Sequence, residues 1–579
     1  MEARKPQTLF DDISDLDRKL VKLIARRSEL VQKLVGTRKK SPAALARIAI
    51  TEKDLRKNWE SAAAQHSRDE RFLRQLFSLL QELELTPLAP VDEDGVRKNP
   101  AAFNLAPPRC KVDVKLPLLA SALQSRLWFF LAASAAQPVR LAGQILGDAE
   151  VELIKALNQA GAHLSWNEVN EVVSACPAKQ GFGPLVFADK VIYAGEDAFN
   201  FYLLSALALG QPGVVKFTGG SNLKLHDFSA WRNVLPLLGA RLAHVVPKST
   251  GLPVHQECSG LIPEQVELTA DLCADLPSEA LLALALAAPF WPCGAVLELP
   301  ADYVQTWAEI LKAALPIFEA CSIGHNIKGR RLEIKAGCKQ IPSNPVLPID
   351  PLLGATLLAL PAFAKGGQVE LAGGWAENEP GAKELFGLLG WAGLNLKRSD
   401  KQVFSSFDAP APSDENKKTQ PPVLQLARLL PEARPLAVVL AARYALVEKM
   451  EITLSLDESA DLFTVKDFLA FLGLELISCG KDKLNDKFKL ALSAAGELSP
   501  AWTAPSAFWG MALALGAYLR GRGQAGTGLN NAVIVSSAAP AFWHIYNSLP
   551  QGRLQAKTTE VKNEPARRRV IARNAHSDI

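Results

Sequence analysis

The sequence predicts an all-α N-terminal domain followed by a larger α/β (α+β) part assembled from six units of one kind. Two observations carry this. Residues 8–86 place apolar residues at i, i+3 and i+4 with charges between them, and show no strand-like alternation. From Lys111 onward short strand and helix patterns alternate, and the helix ends recur in similar wording at a nearly constant interval. At 579 residues the chain is long enough for several domains with large apolar cores.

In the first part Ile13, Leu16, Leu20, Leu23, Ile24, Leu30, Val31 and Leu34 form one apolar stripe, with Asp11 or Asp12 as N-cap. A second helix is expected from Ser41 to about His66 and a third from Ser67 to Leu85. Three helices bury little on their own, so residues 1–86 are expected to dimerise or to pack on their neighbour. Residues 87–110 hold five prolines and a run of charges and read as a linker.

The repeat spans residues 111–550. Its helix ends read LNQAGAHL, LPLLGARL, LPIFEACSI, LGWAGLNL, LAFLGLEL and LPQGRL. The small residue at each turn is Gly161, Gly239, Ala320, Gly393, Gly473 and Gly552, at separations of 78, 81, 73, 80 and 79. A helix that stops on such a residue turns through the left-handed region and hands over to a strand. Units this long are compact α/β modules rather than solenoid turns. A Pro- and Lys-rich insert, Ser399–Pro422, separates the fourth and fifth, and residues 551–579 form a basic polar tail of the kind that stays solvated.

Composition narrows the function. A net charge of +4, with much of the excess in the tail, does not point to nucleic acid. The eight cysteines are scattered with no CxxC pair and no histidine at ligand spacing, which predicts reduced thiols, a cytoplasmic protein and no metal site. The longest apolar runs, such as Leu281–Pro289, are too short to span a bilayer, and the N-terminus has no apolar signal region.

The stretch LLASALQSRLWFFLAAS (118–134) is a small-residue turn followed by an arginine-bearing apolar helix. Together with AGEDAFNFYLLSALAL, LPSEALLALALAAP, LPEARPLAVVLAARYA and SSAAPAFW, and with the six units, it resembles the enolpyruvyl transferases, in particular 5-enolpyruvylshikimate-3-phosphate (EPSP) synthases, over about 112–548. The resemblance implies a two-lobed fold of six βαβαββ repeats that closes on shikimate-3-phosphate and phosphoenolpyruvate, with no cofactor. That chemistry brings several phosphate and carboxylate charges together and needs a dense set of cations, plus groups that move a proton.

The family's cations are mostly absent from the matching positions. In GSKSxxxR the lysine falls on Ser121 and the second serine on Ala122, and the arginine survives as Arg126. NAGTxxR falls on Glu196–Tyr202, with Ala198 and Phe199 for Gly-Thr and Tyr202 for the arginine. The arginine of the RP dipeptide falls on His226, that of DHRxAM on Phe508 and the lysine of SK on Ser537. SSQ retains Ser278, with Glu279 for the glutamine, and Tyr303 matches a substrate-side tyrosine. The PDA aspartate falls on Glu432, and KExDR keeps Glu458 between Asp457 and Asp461. Of eight family cations one survives. Arg126, Ser278 and Tyr303 are thus the candidate substrate-binding residues, and Glu432 and Glu458 the candidate proton-transfer residues.

The helix FDDISDLDRKLVKLIARRSELVQKL resembles the first helix of the all-helical chorismate mutases. This implies Arg27, Arg38 and Glu52 as catalytic residues and a homodimer through the N-terminal helices. The family's early arginine is replaced by Phe10, and the positions before its glutamate by Ile48 and Thr51. Arg27 and Arg38 are three helical turns apart, on one face, as gripping two carboxylates requires. A solvated basic face gives the same pattern, since Arg26, Lys33, Lys39 and Lys40 are neighbours.

Both families act in aromatic amino-acid biosynthesis. Two readings follow: a mutase–transferase fusion with its transferase site dismantled, or a non-catalytic paralogue that binds a pathway enzyme or an aromatic metabolite such as chorismate. Neither involves nucleic acid or a membrane.

Overall fold

The computed structural model of the protein describes residues 15–27, 30, 57–59, 61–62, 102–105, 111–134, 138–175, 185–247, 249–299, 311–338, 340–364, 366–408, 423–456, 462–481, 486–493, 499–520 and 527–549. The described residues of the N-terminal part are helical, and Leu16, Leu20, Leu23 and Leu30 of the predicted apolar stripe are exposed. The predicted helices over 41–66 and 67–85 lie largely outside the described residues.

The rest of the chain buries two separate apolar cores. One gathers residues from Leu127 to Leu347, the other Leu105–Leu119 and Ile349–Leu549. These are the two lobes. The chain passes between them twice, and the crossings lie side by side: Ser121 N donates to Pro348 O at 2.9 Å and Asp350 N to Leu119 O at 2.9 Å. At the lobe centres sit helices that are apolar on all sides, Ala198–Ala208 with Ser278–Ala287 in the first and Arg434–Arg443 with Ala507–Arg520 in the second. Helices of that kind have no solvent face and must be enclosed.

Three units are contiguous in sequence, over 191–259, 267–334 and 423–492. Each gives a four-stranded sheet in which the first strand pairs parallel with the second, the second antiparallel with the fourth, and the fourth antiparallel with the third. This is the βαβαββ unit. The other three sheets correct the expectation of six whole repeats: two of them take strands from distant parts of the chain, and one has three strands. Val112–Leu116 pairs parallel with Gly367–Ala372. The sheet of Val139–Ala142, Leu164–Asn167 and Val172–Ala175 has three strands and is flanked by Ser343, whose carbonyl accepts from Arg140 N at 2.7 Å. Phe103–Leu105 pairs antiparallel with Thr527–Leu529, so the second lobe takes a strand from the stretch read as linker. Gln402–Phe407, at the start of the predicted insert, is likewise a strand that pairs on both sides.

The turn residues behave as the repeat predicts at Gly161, Gly239, Gly393 and Gly473, all at positive φ. In the third unit Ala320 remains in the helix Leu315–Ala320, and the left-handed residue is Ser322, at φ +53°. Gly552 lies outside the described residues.

Candidate functional site

The site is built where helices from both lobes begin around the crossing. Ser121 caps the helix Ala122–Ser134, its Oγ accepting from Gln124 N at 3.1 Å. The position that holds a lysine in the resembled family is therefore a helix cap, with the hydroxyl turned to the backbone.

The other helix starts are occupied by carboxylates of the chain itself. Asp350 Oδ1 accepts from Leu352 N (3.1 Å) and Leu353 N (2.9 Å), while its Oδ2 accepts from Ala122 N at 3.3 Å. One side chain thus caps a helix of each lobe. Asp197 Oδ1 accepts from Phe199 N at 2.8 Å, capping Ala198–Ala208. Glu196 accepts from Ser221 N at 3.1 Å and Asn222 N at 2.9 Å. Glu150 Oε2 accepts from Gly147 N at 2.9 Å. Free N–H groups and the helix dipole make such ends ready sites for a ligand's anionic group. Here the negative charge is already supplied.

The one retained cation is neutralised in the same way. Arg126 Nη1 donates to Asp197 Oδ2 at 2.6 Å, its Nε lies 3.7 Å from Glu150 Oε1, and its guanidinium stacks 5.0 Å above the Phe199 ring. Burial pushes the Arg126 guanidinium down, but Asp197 and Glu150 outweigh it and hold it above its ordinary value. Burial raises the Glu150 and Asp350 carboxyls, against the opposing pull of Arg126 on Glu150 and of backbone N–H groups on Asp350. Burial, with Asp350 beside it, raises Glu379 well above the carboxylate range.

One position where the resembled family has an arginine, Tyr202, is core here. Tyr202 is buried among Phe201, Phe228 and Trp231, with ring centroids 5.3–5.8 Å away, and its hydroxyl shares a 3.3 Å hydrogen bond with His226 Nε2. Burial raises the phenol and lowers the imidazole, so both are neutral near pH 7. Ser537 donates to Ile534 O at 2.8 Å.

Arg126, Asp197, Glu150, Asp350 and Glu379 line one cavity of about 380 Å³, walled by residues of both lobes including Phe508 and Met511. A more open one of about 570 Å³ adjoins it past Asp197 and Ser537, lined by Glu152, Glu196 and His226. A third, of about 750 Å³, borders the opposite face of Ala122–Ser134 at Gln124 and Trp128 and shares Glu379. The lobes touch at Gly147: a Cβ there would stand 2.8 Å from Ser537 O and 3.1 Å from Ala538 O. Among the described residues no cluster of three or more His, Cys, Asp or Glu has the arrangement of a metal site, and no helix is long and apolar enough to cross a membrane.

Of the sequence-predicted residues that the structure describes, only Arg126 is in this site. Ser278 begins the helix Ser278–Ala287 and donates to Glu279 Oε2 at 2.9 Å. Glu432 is exposed in the turn before Arg434–Arg443 and does not line the inter-lobe cavity. The acid that lines the cavity is instead Asp350, half-buried in Pro348–Ile349–Asp350 ahead of an apolar helix, a Pro/Asp/helix pattern like the one read at Glu432. Glu379, which is buried, has no such signal in its surroundings. Asp197 and Glu196 fall inside the stretch that matches NAGTxxR, a motif read for its cation. Arg27 is partly exposed, its guanidinium 5.7 Å over the Trp59 ring. Arg38, Glu52, Tyr303 and Glu458 lie outside the described residues.

No protein-family profile matches the chain, and no curated protein matches it in sequence. Solved structures do. An EPSP synthase from Acinetobacter baumannii superposes with a TM-score of 0.59 at 15% identity, over 77% of this chain and 97% of its own. A second structure titled EPSP synthase from that organism gives 0.59 at 15%, over 78% and 98%. The enolpyruvyl transferase NikO from Streptomyces tendae gives 0.53 at 14%, over 77% and 96%. The two-lobed part of the chain therefore has the enolpyruvyl transferase fold.

Proposed function

We propose that this protein is a non-catalytic relative of the EPSP synthases, serving aromatic amino-acid biosynthesis as a binding or regulatory partner of a pathway enzyme. The observation that carries the reading is the Arg126–Asp197 pair at 2.6 Å. The one cation retained from the anion-binding set is bonded to a carboxylate that also caps a helix, so no charge is left over for a substrate phosphate. A charge-assisted hydrogen bond contributes about 1.5–3 kcal/mol, and each 1.4 kcal/mol is tenfold in affinity. Losing several and gaining carboxylates moves dianion binding out of a useful range.

The N-terminal helices are read as chorismate-mutase-like on Arg27, Arg38 and Glu52, a reading supported by the sequence pattern alone. Two assays test the whole proposal. Phosphate release from phosphoenolpyruvate and shikimate-3-phosphate is expected to stay at background, and turnover would overturn the non-catalytic reading. Chorismate consumption that disappears in Arg27→Ala would assign mutase activity to the N-terminal helices and make the two-lobed part its regulator. Chorismate left unconsumed would place the function in partner binding.

A further inference from the structure

The cavity of about 380 Å³ is lined by four carboxyl side chains, Glu150, Asp197, Asp350 and Glu379, and by one cation, Arg126. Three of the four are engaged with backbone N–H groups or with Arg126. Glu379 differs. It is 7% exposed, and its Oε1 has no hydrogen-bond partner. Gln144, 1% exposed and on the other lobe, also leaves its Oε1 without a donor. Both line this cavity. A buried acceptor left open costs about 1–3 kcal/mol, so two of them around one space mark a place where donors belong. Much of the remaining wall is apolar, including Leu119, Leu123, Leu146, Leu352, Phe508 and Met511. The volume is that of a small-molecule site.

We propose that this cavity binds a small organic ammonium ion, a protonated primary amine on an apolar body, whose N–H groups donate to Glu379 Oε1 and Gln144 Oε1. The proposal rests on reading the inter-lobe site as closed to dianions, and it adds the class of ligand the site takes. Glu150, Asp197 and Asp350 outnumber Arg126 even with Glu379 protonated, which sets the sign of the charge, and the apolar wall sets the nature of the body.

Binding couples to a proton. Glu379 faces Asp350, Ser121 and Arg126, and it borders the neighbouring cavity that holds Glu377, Arg398 and Asp400. Burial and Asp350 favour its protonated form in the empty site. An ammonium group beside it offsets both effects, so the carboxyl gives up its proton to solvent as the ligand enters. Affinity for amines then increases with pH until Glu379 is ionised in the empty protein.

The test is calorimetric titration of the full chain with phenethylammonium, phenylacetate and shikimate-3-phosphate, in two buffers of different ionisation heat. Phenethylammonium is expected to bind with proton release, and phenylacetate, of similar size and opposite charge, is expected to give no heat of binding. Glu379→Gln is expected to weaken the amine by about tenfold to a hundredfold and to abolish the proton release. Should that variant fail to fold, Gln144→Leu serves, with a loss of several-fold. Phenylacetate binding as tightly as the amine, amine binding indifferent to the substitution made, or no amine binding at about 10 mM would each overturn the proposal. If the amine fails and shikimate-3-phosphate is also silent, only this proposal falls. Binding of shikimate-3-phosphate would take the non-catalytic reading with it.

Discussion

Asp197 holds two things at once: its Oδ2 accepts from Arg126 Nη1 at 2.6 Å and its Oδ1 accepts from Phe199 N at 2.8 Å. One carboxylate therefore neutralises the retained arginine and fills a helix N-terminus facing the cleft. Asp350, Glu196 and Glu150 repeat the arrangement at neighbouring backbone N–H groups. At each of these backbone N–H groups the anion is the chain's own.

Asp197→Ala is expected to destabilise the first lobe by about 1–3 kcal/mol, from the loss of an N-cap and of a partly buried charge-assisted hydrogen bond. It also frees Arg126 and the N-terminus of Ala198–Ala208. The variant's melting temperature is expected to rise with added inorganic phosphate, and the wild type's is not. Equal phosphate response in the two would mean that Asp197 does not block the site.

Glu379 sets a pH signature. Its folded value lies well above the ordinary 4.5, so at intermediate pH the folded state binds more protons than the unfolded one. Its contribution is fully present below about pH 4.5 and is lost as the pH rises through the folded value. Glu379→Gln mimics the protonated acid. Urea midpoints of the two proteins are expected to agree near pH 4 and to diverge in favour of glutamine towards pH 8. A constant difference would show that Glu379 is ionised in the folded protein.

Gly147 keeps the lobes together because it has no side chain, the carbonyls of Ser537 and Ala538 standing where a Cβ would be. Gly147→Val is expected to hold the lobes apart at a cost of about 1–3 kcal/mol. Small-angle scattering should show a larger radius of gyration. An unchanged radius would mean that the contact yields without opening the cleft.

Tyr202 occupies an arginine position of the resembled family, yet it is 1% exposed inside an aromatic cluster. Tyr202→Phe removes only the hydrogen bond to His226 and should cost about 1 kcal/mol. Tyr202→Arg is expected to unfold the lobe rather than restore anion binding, because it buries a charge among Phe201, Phe228 and Trp231. Denaturation midpoints separate the two. A stable Tyr202→Arg protein would indicate that the position opens to the cleft.

Much of the fold was legible because helix ends keep their chemistry: Gly161, Gly239, Gly393 and Gly473 all sit at the turns their spacing predicts. Strand exchange was not legible. Nothing in Phe103–Leu105 says that its partner is Thr527–Leu529, since pairing across hundreds of residues leaves no local pattern. In the site Arg126 and the missing cations were readable from motifs. The replacing carboxylates were less so. Asp197 before an apolar helix has the form of an N-cap, and Asp350 follows a proline ahead of another, but their convergence on one cleft is a property of the tertiary fold.

The most direct test of the central claim is titration of shikimate-3-phosphate into the wild-type protein at low ionic strength, where anion binding is strongest. No saturable heat is expected up to about millimolar concentration. Micromolar binding would contradict it, since the Arg126–Asp197 pair would then have to open and the cleft would have to offer cations that the described residues do not place there.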